Sequence, residues 1–148
     1  MSSVCASIDI DVPPEQVWQT VMDPNRLQDW VTIHRSVEKV STPLEKGSTM
    51  EQVLHMRGMS FKVKWKLADV SKPNLAQWEG SGPARSEARI RYELSENDQG
   101  GTHFAYTNEF TAPGGMLGQA ASRVVVGAAS EREANNSLRQ LKQLLEQK

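Results

Sequence analysis

Met59-Ser60-Phe61-Lys62-Val63-Lys64-Trp65-Lys66-Leu67 is the cleanest amphipathic stretch in the chain. Its odd positions are apolar and its even positions polar. That period of two predicts a strand with one dry and one wet face. The neighbouring segments repeat the pattern. Thr49 to Arg57 reads as a strand, with Gly58 as the turn that joins it to the quoted stretch. Leu75 to Glu79 follows Pro73-Asn74 and ends where Gly80-Ser81-Gly82-Pro83 breaks it. Ala88, Ile90, Tyr92 and Leu94 alternate with Glu87, Arg89, Arg91 and Glu93, and Phe104, Tyr106 and Phe110 mark one face of Thr102 to Phe110. Val37 to Val40 adds a short strand before Thr42-Pro43. Short turns between consecutive strands make an antiparallel meander the economical arrangement.

Outside this block the periodicity changes. Val4, Ala6, Ile8 and Ile10 face one way and Ser7, Asp9 and Asp11 the other, an opening strand stopped by Pro13-Pro14. Val17, Trp18, Val21 and Met22 then recur at helical spacing, with Glu15 in the first turn. Asp23-Pro24 reads as an N-cap and first helical residue, ahead of Leu27, Trp30 and Val31. From about Gly115 to Gln147 there is no proline, and a stripe through Leu117, Ala120, Val124, Ala128, Glu131, Ala134, Leu138, Leu141 and Leu145 predicts one long amphipathic helix. A sheet with one apolar face and a helix with one apolar stripe must cover each other. The predicted class is α+β, with about seven strands, two short helices after the first strand and a long C-terminal helix.

Composition excludes several functions. The chain has 148 residues, the size of a single domain spanning 1–148, and 17 basic against 18 acidic side chains. That balance argues against nucleic acid or an anionic membrane as the partner. One cysteine, Cys5, leaves no internal disulfide and no thiolate metal site. No apolar run reaches the ~18 residues of a spanning helix. With no signal-peptide pattern at the start, the expectation is a cytoplasmic protein. Lys62, Lys64 and Lys66 read as a solvated outer face.

The apolar residues are few but large, with four tryptophans and six methionines. Phe61, Trp65, Trp78, Tyr92, Phe104 and Tyr106 fall on sheet faces, opposite a helix whose middle is mostly alanine and glycine. Small against large can be ordinary close packing, or it can leave a gap lined by aromatic rings. The phenols of Tyr92 and Tyr106, with Asn108 nearby, are polar groups that a ligand or water inside such a gap could satisfy.

Catalytic motifs are absent. His34, His55 and His103 are scattered over a loop and two strands, and no dense metal-ligand cluster occurs. Gly80-Ser81-Gly82 lacks the strand-to-helix turn of a nucleophile elbow, and Gly114 to Gly118 lacks the lysine of a phosphate loop. No cofactor motif and no metal site are expected.

The order of these elements and several local motifs resemble the START/Bet v 1-like (SRPBCC) superfamily, and within it the bacterial polyketide cyclase/dehydrase and lipid-transport group. The motifs are Ile8-Asp9-Ile10-Asp11-Val12-Pro13-Pro14-Glu15-Gln16-Val17-Trp18, Asp23-Pro24, Asp29-Trp30, Glu45-Lys46-Gly47, Gly101-Thr102 and Pro113-Gly114-Gly115. The resemblance implies a helix-grip fold, a curved antiparallel sheet around the long helix, with a cavity for hydrophobic molecules in many relatives. Trp30 to His34 and Arg57-Gly58-Met59 with Lys64-Trp65 look like an actinobacterial subset that includes toxin components of toxin–antitoxin pairs. An antitoxin-like protein partner is implied there.

Three functions follow as expectations. The first is noncatalytic binding of a lipid- or polyketide-like molecule, lined by Trp30, Phe61, Trp65, Trp78, Tyr92, Phe104 and Tyr106, with Asn108 orienting polar groups. His34, Met116 and Leu117 would stand near the entrance and Glu131 would face inward. The second is an aromatase/cyclase-type reaction in the same pocket, with the phenols, Glu131 or His34 moving protons. The third is the toxin role.

Overall fold

The computed structural model describes residues 2–41, 43–56, 58–82, 86–111 and 116–147, excluding the side chains of 2, 56, 59 and 116–130. Seven strands form one antiparallel sheet: β1 Ser2–Ile10, β2 His34–Glu38, β3 Thr49–Met56, β4 Met59–Ser71, β5 Leu75–Ser81, β6 Glu87–Glu96 and β7 Thr102–Thr111. They lie in the order β1-β7-β6-β5-β4-β3-β2, so β2 to β7 are a meander and β1 pairs with the last strand. Helix α1 spans Pro14–Val21, a 3₁₀ turn at Pro24–Arg26 runs into α2 at Leu27–Trp30, and α3 spans Met116–Glu146. This is the expected helix-grip α+β architecture.

Local chemistry places the pieces. Pro13 and Pro14 end β1 and start α1, proline being tolerated in the first helical turn, where no intrahelical N–H bond is lost. Asp23 caps the next turn by accepting from the Asn25 amide at 2.9 Å. Val17, Trp18 and Val21 turn inward, and Thr20 is buried beside them. Both short helices are too brief to persist alone, so their burial against the sheet and α3 is what keeps them folded. The alternation in β4 is realised as read, with Val63, Trp65 and Leu67 buried while Lys62, Lys64 and Lys66 are exposed. Lys62 bridges Glu38 at 3.0 Å and Glu51 at 3.5 Å on the outer surface.

The Gly101-Thr102 motif has a steric explanation. A Cβ at Gly101 would stand 2.4 Å from the Ile10 carbonyl oxygen, so only glycine lets β7 begin flush against the end of β1. Thr102, fully buried, then donates its hydroxyl to the Val12 carbonyl at 2.7 Å. At the far end of the chain, Glu146 accepts from the Asp11 amide and Lys142 donates to the Asp9 carbonyl, both at 2.8 Å. These bonds tie the end of α3 to the exit of β1.

Two boundaries differ from the expectation. β2 begins at His34 and ends at Glu38, earlier than Val37 to Val40, because His34 and Ser36 to Glu38 find partners on β3. β5 also continues through Gly80 to Ser81 instead of breaking at the glycine. Ladder hydrogen bonds to both neighbours hold a glycine that would be weak in isolation.

Candidate functional site

A cavity of about 480 Å³ lies between the concave sheet face and the α2 and α3 side of the fold. That volume falls within the usual range for small-molecule sites. Of the expected residues, Trp30, Phe61, Trp65, Trp78, Tyr92, Tyr106 and Asn108 line it. Phe104 does not. It is completely buried behind the wall, its ring 5.5 Å from Tyr92 and 6.4 Å from Trp30, and so supports the lining aromatics. Trp30 meets Tyr92 edge-on at 6.1 Å, and Tyr92 meets Tyr106 at the same centroid distance. Such tilted and edge contacts lock ring orientation.

β5 contributes through an absence of side chain. Gly80 pairs with Trp65 across the β4–β5 ladder, and a Cβ there would approach the indole to 2.5 Å. The glycine read from sequence as a breaker is the space into which Trp65 settles.

Polar groups in the wall are few and specific. The Trp65 indole donates to Gln52 Oε1 at 2.8 Å, and Gln52 Nε2 lies 2.9 Å from His34 Nδ1. An indole nitrogen can only donate, which fixes the Gln52 amide with its NH₂ toward His34. His34 Nδ1 must therefore accept, and the ring is the neutral tautomer with its proton on Nε2. Partial burial pushes the His34 pKa below its ordinary 6.5, in agreement with that state. His34 thus stands behind Gln52 and does not line the cavity among the described residues.

Tyr92 is buried and Tyr106 half-buried on the cavity wall, and both phenols are largely desolvated. Desolvation raises Tyr92 beyond the usual phenol range, and the neighbouring Tyr106 adds to the effect. Tyr106 is pushed up to about 12 by burial, moderated by a side-chain hydrogen bond with Asn108. Two buried lining atoms have no hydrogen-bond partner among the described residues, Trp30 Nε1 and Asn108 Oδ1.

Helix α3 corrects one expectation. Glu131 is exposed and absent from the lining, whereas Glu133, Ala134, Ser137 and Leu138 face the cavity. An ideal wheel aligns Glu131 with Ala134 and Leu138. The loop after α2, however, covers the flank carrying Glu133 and Ser137. There Thr32 donates its amide to Ser137 Oγ at 3.1 Å and its hydroxyl to Glu133 Oε2. Met116 and Leu117 have side chains outside the described residues.

Gln52 and Glu133 were not anticipated. Gln52 had a visible signal, a polar residue between Met50 and Leu54 on the inward face of β3. Glu133 had none, since its inward position depends on how Thr32 meets the helix. Cys5 is exposed on β1, as alternation implied. No helix among the described residues is long and apolar enough to cross a membrane.

Comparison with known proteins agrees with this geometry. Residues 1–146 match the profile of the family described as polyketide cyclase / dehydrase and lipid transport. The chain is 28% identical over 101 residues to toxin Rv0910 of Mycobacterium tuberculosis H37Rv, covering 68% of this chain and 70% of that one. Among solved structures, the ZhuI aromatase/cyclase of Streptomyces sp. R1128 superimposes with a TM-score of 0.78 at 15% identity, covering 97% and 93% of the two chains. TTHA0849 of Thermus thermophilus gives 0.77 at 16% identity, covering 95% and 94%. At such identities the structural likeness is one of fold.

Proposed function

The chain belongs to the polyketide cyclase / dehydrase and lipid transport family, and from that premise we propose that it binds a flat, largely apolar small molecule between its sheet and its long helix, without catalysing a reaction on it. One observation carries the reading. A cavity of about 480 Å³ with an aromatic wall holds two buried polar atoms, Trp30 Nε1 and Asn108 Oδ1, that lack partners among the described residues. An unpaired buried donor or acceptor costs about 1–3 kcal/mol, and a ligand hydrogen bond removes that cost. Trp30, Phe61, Trp65, Trp78, Tyr92 and Tyr106 supply apolar contact, worth about 25 cal/mol per Å² of buried ligand surface. Asn108 and Tyr106 orient the polar part of the guest. His34 acts one layer back, through Gln52.

Nile red, a neutral hydrophobic fluorophore, titrated into purified protein tests this. Saturable binding near one per chain is expected, weakened at least tenfold in Tyr106→Leu and in Trp65→Ala. A folded wild-type protein that gives only a linear, nonsaturating signal refutes the reading.

An aromatase/cyclase-type reaction in the same cavity is the runner-up, supported by family membership. Its carboxylate from α3 would be Glu133, since Glu131 points to solvent. The likeness to a mycobacterial toxin supports a third role, action on a protein partner. Growth arrest on expression that persists in Trp65→Ala would favour that role over both cavity readings.

A further inference from the structure

We infer that the cavity selects guests whose polar group donates hydrogen bonds, neutral or cationic, and rejects carboxylates, with Glu133 setting the preference. The inference rests on the binding role proposed above and adds the charge class of the ligand. Glu133 lies on the cavity wall, and its carboxylate is held there by the Thr32 hydroxyl at Oε2. Thr32 is itself fixed by the hydrogen bond its backbone N–H donates to Ser137 Oγ, with its hydroxyl 3.3 Å from the same atom. The carboxylate is therefore anchored at the wall. Its second oxygen, Oε1, has no hydrogen bond among the described residues.

The unfilled positions form a pattern. Asn108 Oδ1 is a buried acceptor awaiting a donor and Trp30 Nε1 a buried donor awaiting an acceptor, while half-buried Glu133 adds to the same wall a carboxylate of which only Oε2 is engaged, by Thr32. A hydroxyl or ammonium group supplies a donor to these acceptors. A carboxylate is acceptor-only: it could satisfy Trp30 but leaves Asn108 Oδ1 without a donor, and it shares the cavity with the negative charge of Glu133. In a low-dielectric, aromatic cavity the repulsion between the two charges is far stronger than in water. Glu87, an exposed residue that also belongs to the lining, has the same sign, and no lysine, arginine or histidine lines the cavity among the described residues.

The test is a matched series measured by calorimetry at pH 7: 2-methylnaphthalene, 2-naphthylmethanol, 2-naphthylmethylamine and 2-naphthoic acid. The alcohol and the amine are expected to bind at least tenfold more tightly than the acid. Glu133→Gln keeps an oxygen to accept from Thr32 but removes the charge, so the amine should weaken and the acid strengthen, narrowing their ratio about tenfold. Glu131→Gln should leave the order unchanged. An acid that binds as tightly as the alcohol overturns the inference, as does an amine-to-acid ratio unaltered in folded Glu133→Gln. If 2-methylnaphthalene binds but the polar compounds do not rank, only the charge preference fails. If none of the four binds, the binding role fails with it.

Discussion

The Trp65 indole nitrogen donates to Gln52 Oε1 at 2.8 Å, joining two inward residues of adjacent strands inside the cavity wall. Replacing Gln52 with leucine leaves a buried indole donor unpaired and should cost about 1–3 kcal/mol of stability. Trp65→Phe removes the donor itself. The double variant Gln52→Leu/Trp65→Phe should lose less than the sum of the single losses, read from urea midpoints as a double-mutant cycle. Strict additivity would show that the bond contributes nothing.

Gly80 is the second determinant of where Trp65 lies. With a Cβ only 2.5 Å from Cζ3 and 2.6 Å from Cε3, alanine at this position must displace the ring. Gly80→Ala should destabilise by about 1–3 kcal/mol, the usual range for overpacking, and shift the tryptophan emission. Adding Trp65→Leu should recover part of the loss. An unchanged midpoint and spectrum in Gly80→Ala would contradict the placement.

His34 predicts an acid-sensitive fold. Its folded pKa lies below 6.5 because of burial, so the unfolded chain takes up the proton first. Stability is then complete above about pH 6.5, falls as pH drops through the interval between the two pKa values, and levels off beneath it. Glu38 and Glu146 are held below their ordinary 4.5, chiefly by hydrogen bonds from Lys62 and Lys142, so their stabilisation is lost only at lower pH. Urea midpoints at pH 7.5 and 5.5 should therefore differ, and His34→Gln should reduce the difference. A pH dependence identical in the variant would remove His34 as its source.

The tyrosines offer a spectroscopic check. The chain has only two, Tyr92 and Tyr106, so phenolate absorbance reports on this wall alone. With Tyr106 pushed up to about 12 and Tyr92 higher still, no phenolate should form in the folded protein below pH 11. Ionisation should arrive together with alkaline unfolding, followed by circular dichroism. A transition near 10, the ordinary phenol value, in still-folded protein would mean that the rings are wet.

Much of the architecture was legible because it is local. Alternation along β1, β4 and β6 depends only on each strand having one dry face, and Pro13-Pro14 and Asp23-Pro24 act within a few residues of themselves. The aromatic wall followed from the same alternation, which is why Trp65, Trp78, Tyr92 and Tyr106 were named from sequence and line the cavity. Phe104 was on the right face but one layer too deep, since period two tells inside from outside and not wall from core.

The sequence by itself determined the seven strands apart from the bounds of β2 and β5, their apolar faces, the Asp23-capped turn and the long helix, all consequences of short-range spacing and of backbone chemistry at proline. Only the tertiary structure decided which polar atoms enter the cavity. Thr32 reaches Glu133 across a sequence separation of 101 residues, and Gln52 joins Trp65 to His34 across three strands. Such pairs depend on how finished elements dock, through strand register and the rotation of α3. For that reason Glu133 faces the cavity and Glu131 the solvent, although helical spacing favours the reverse.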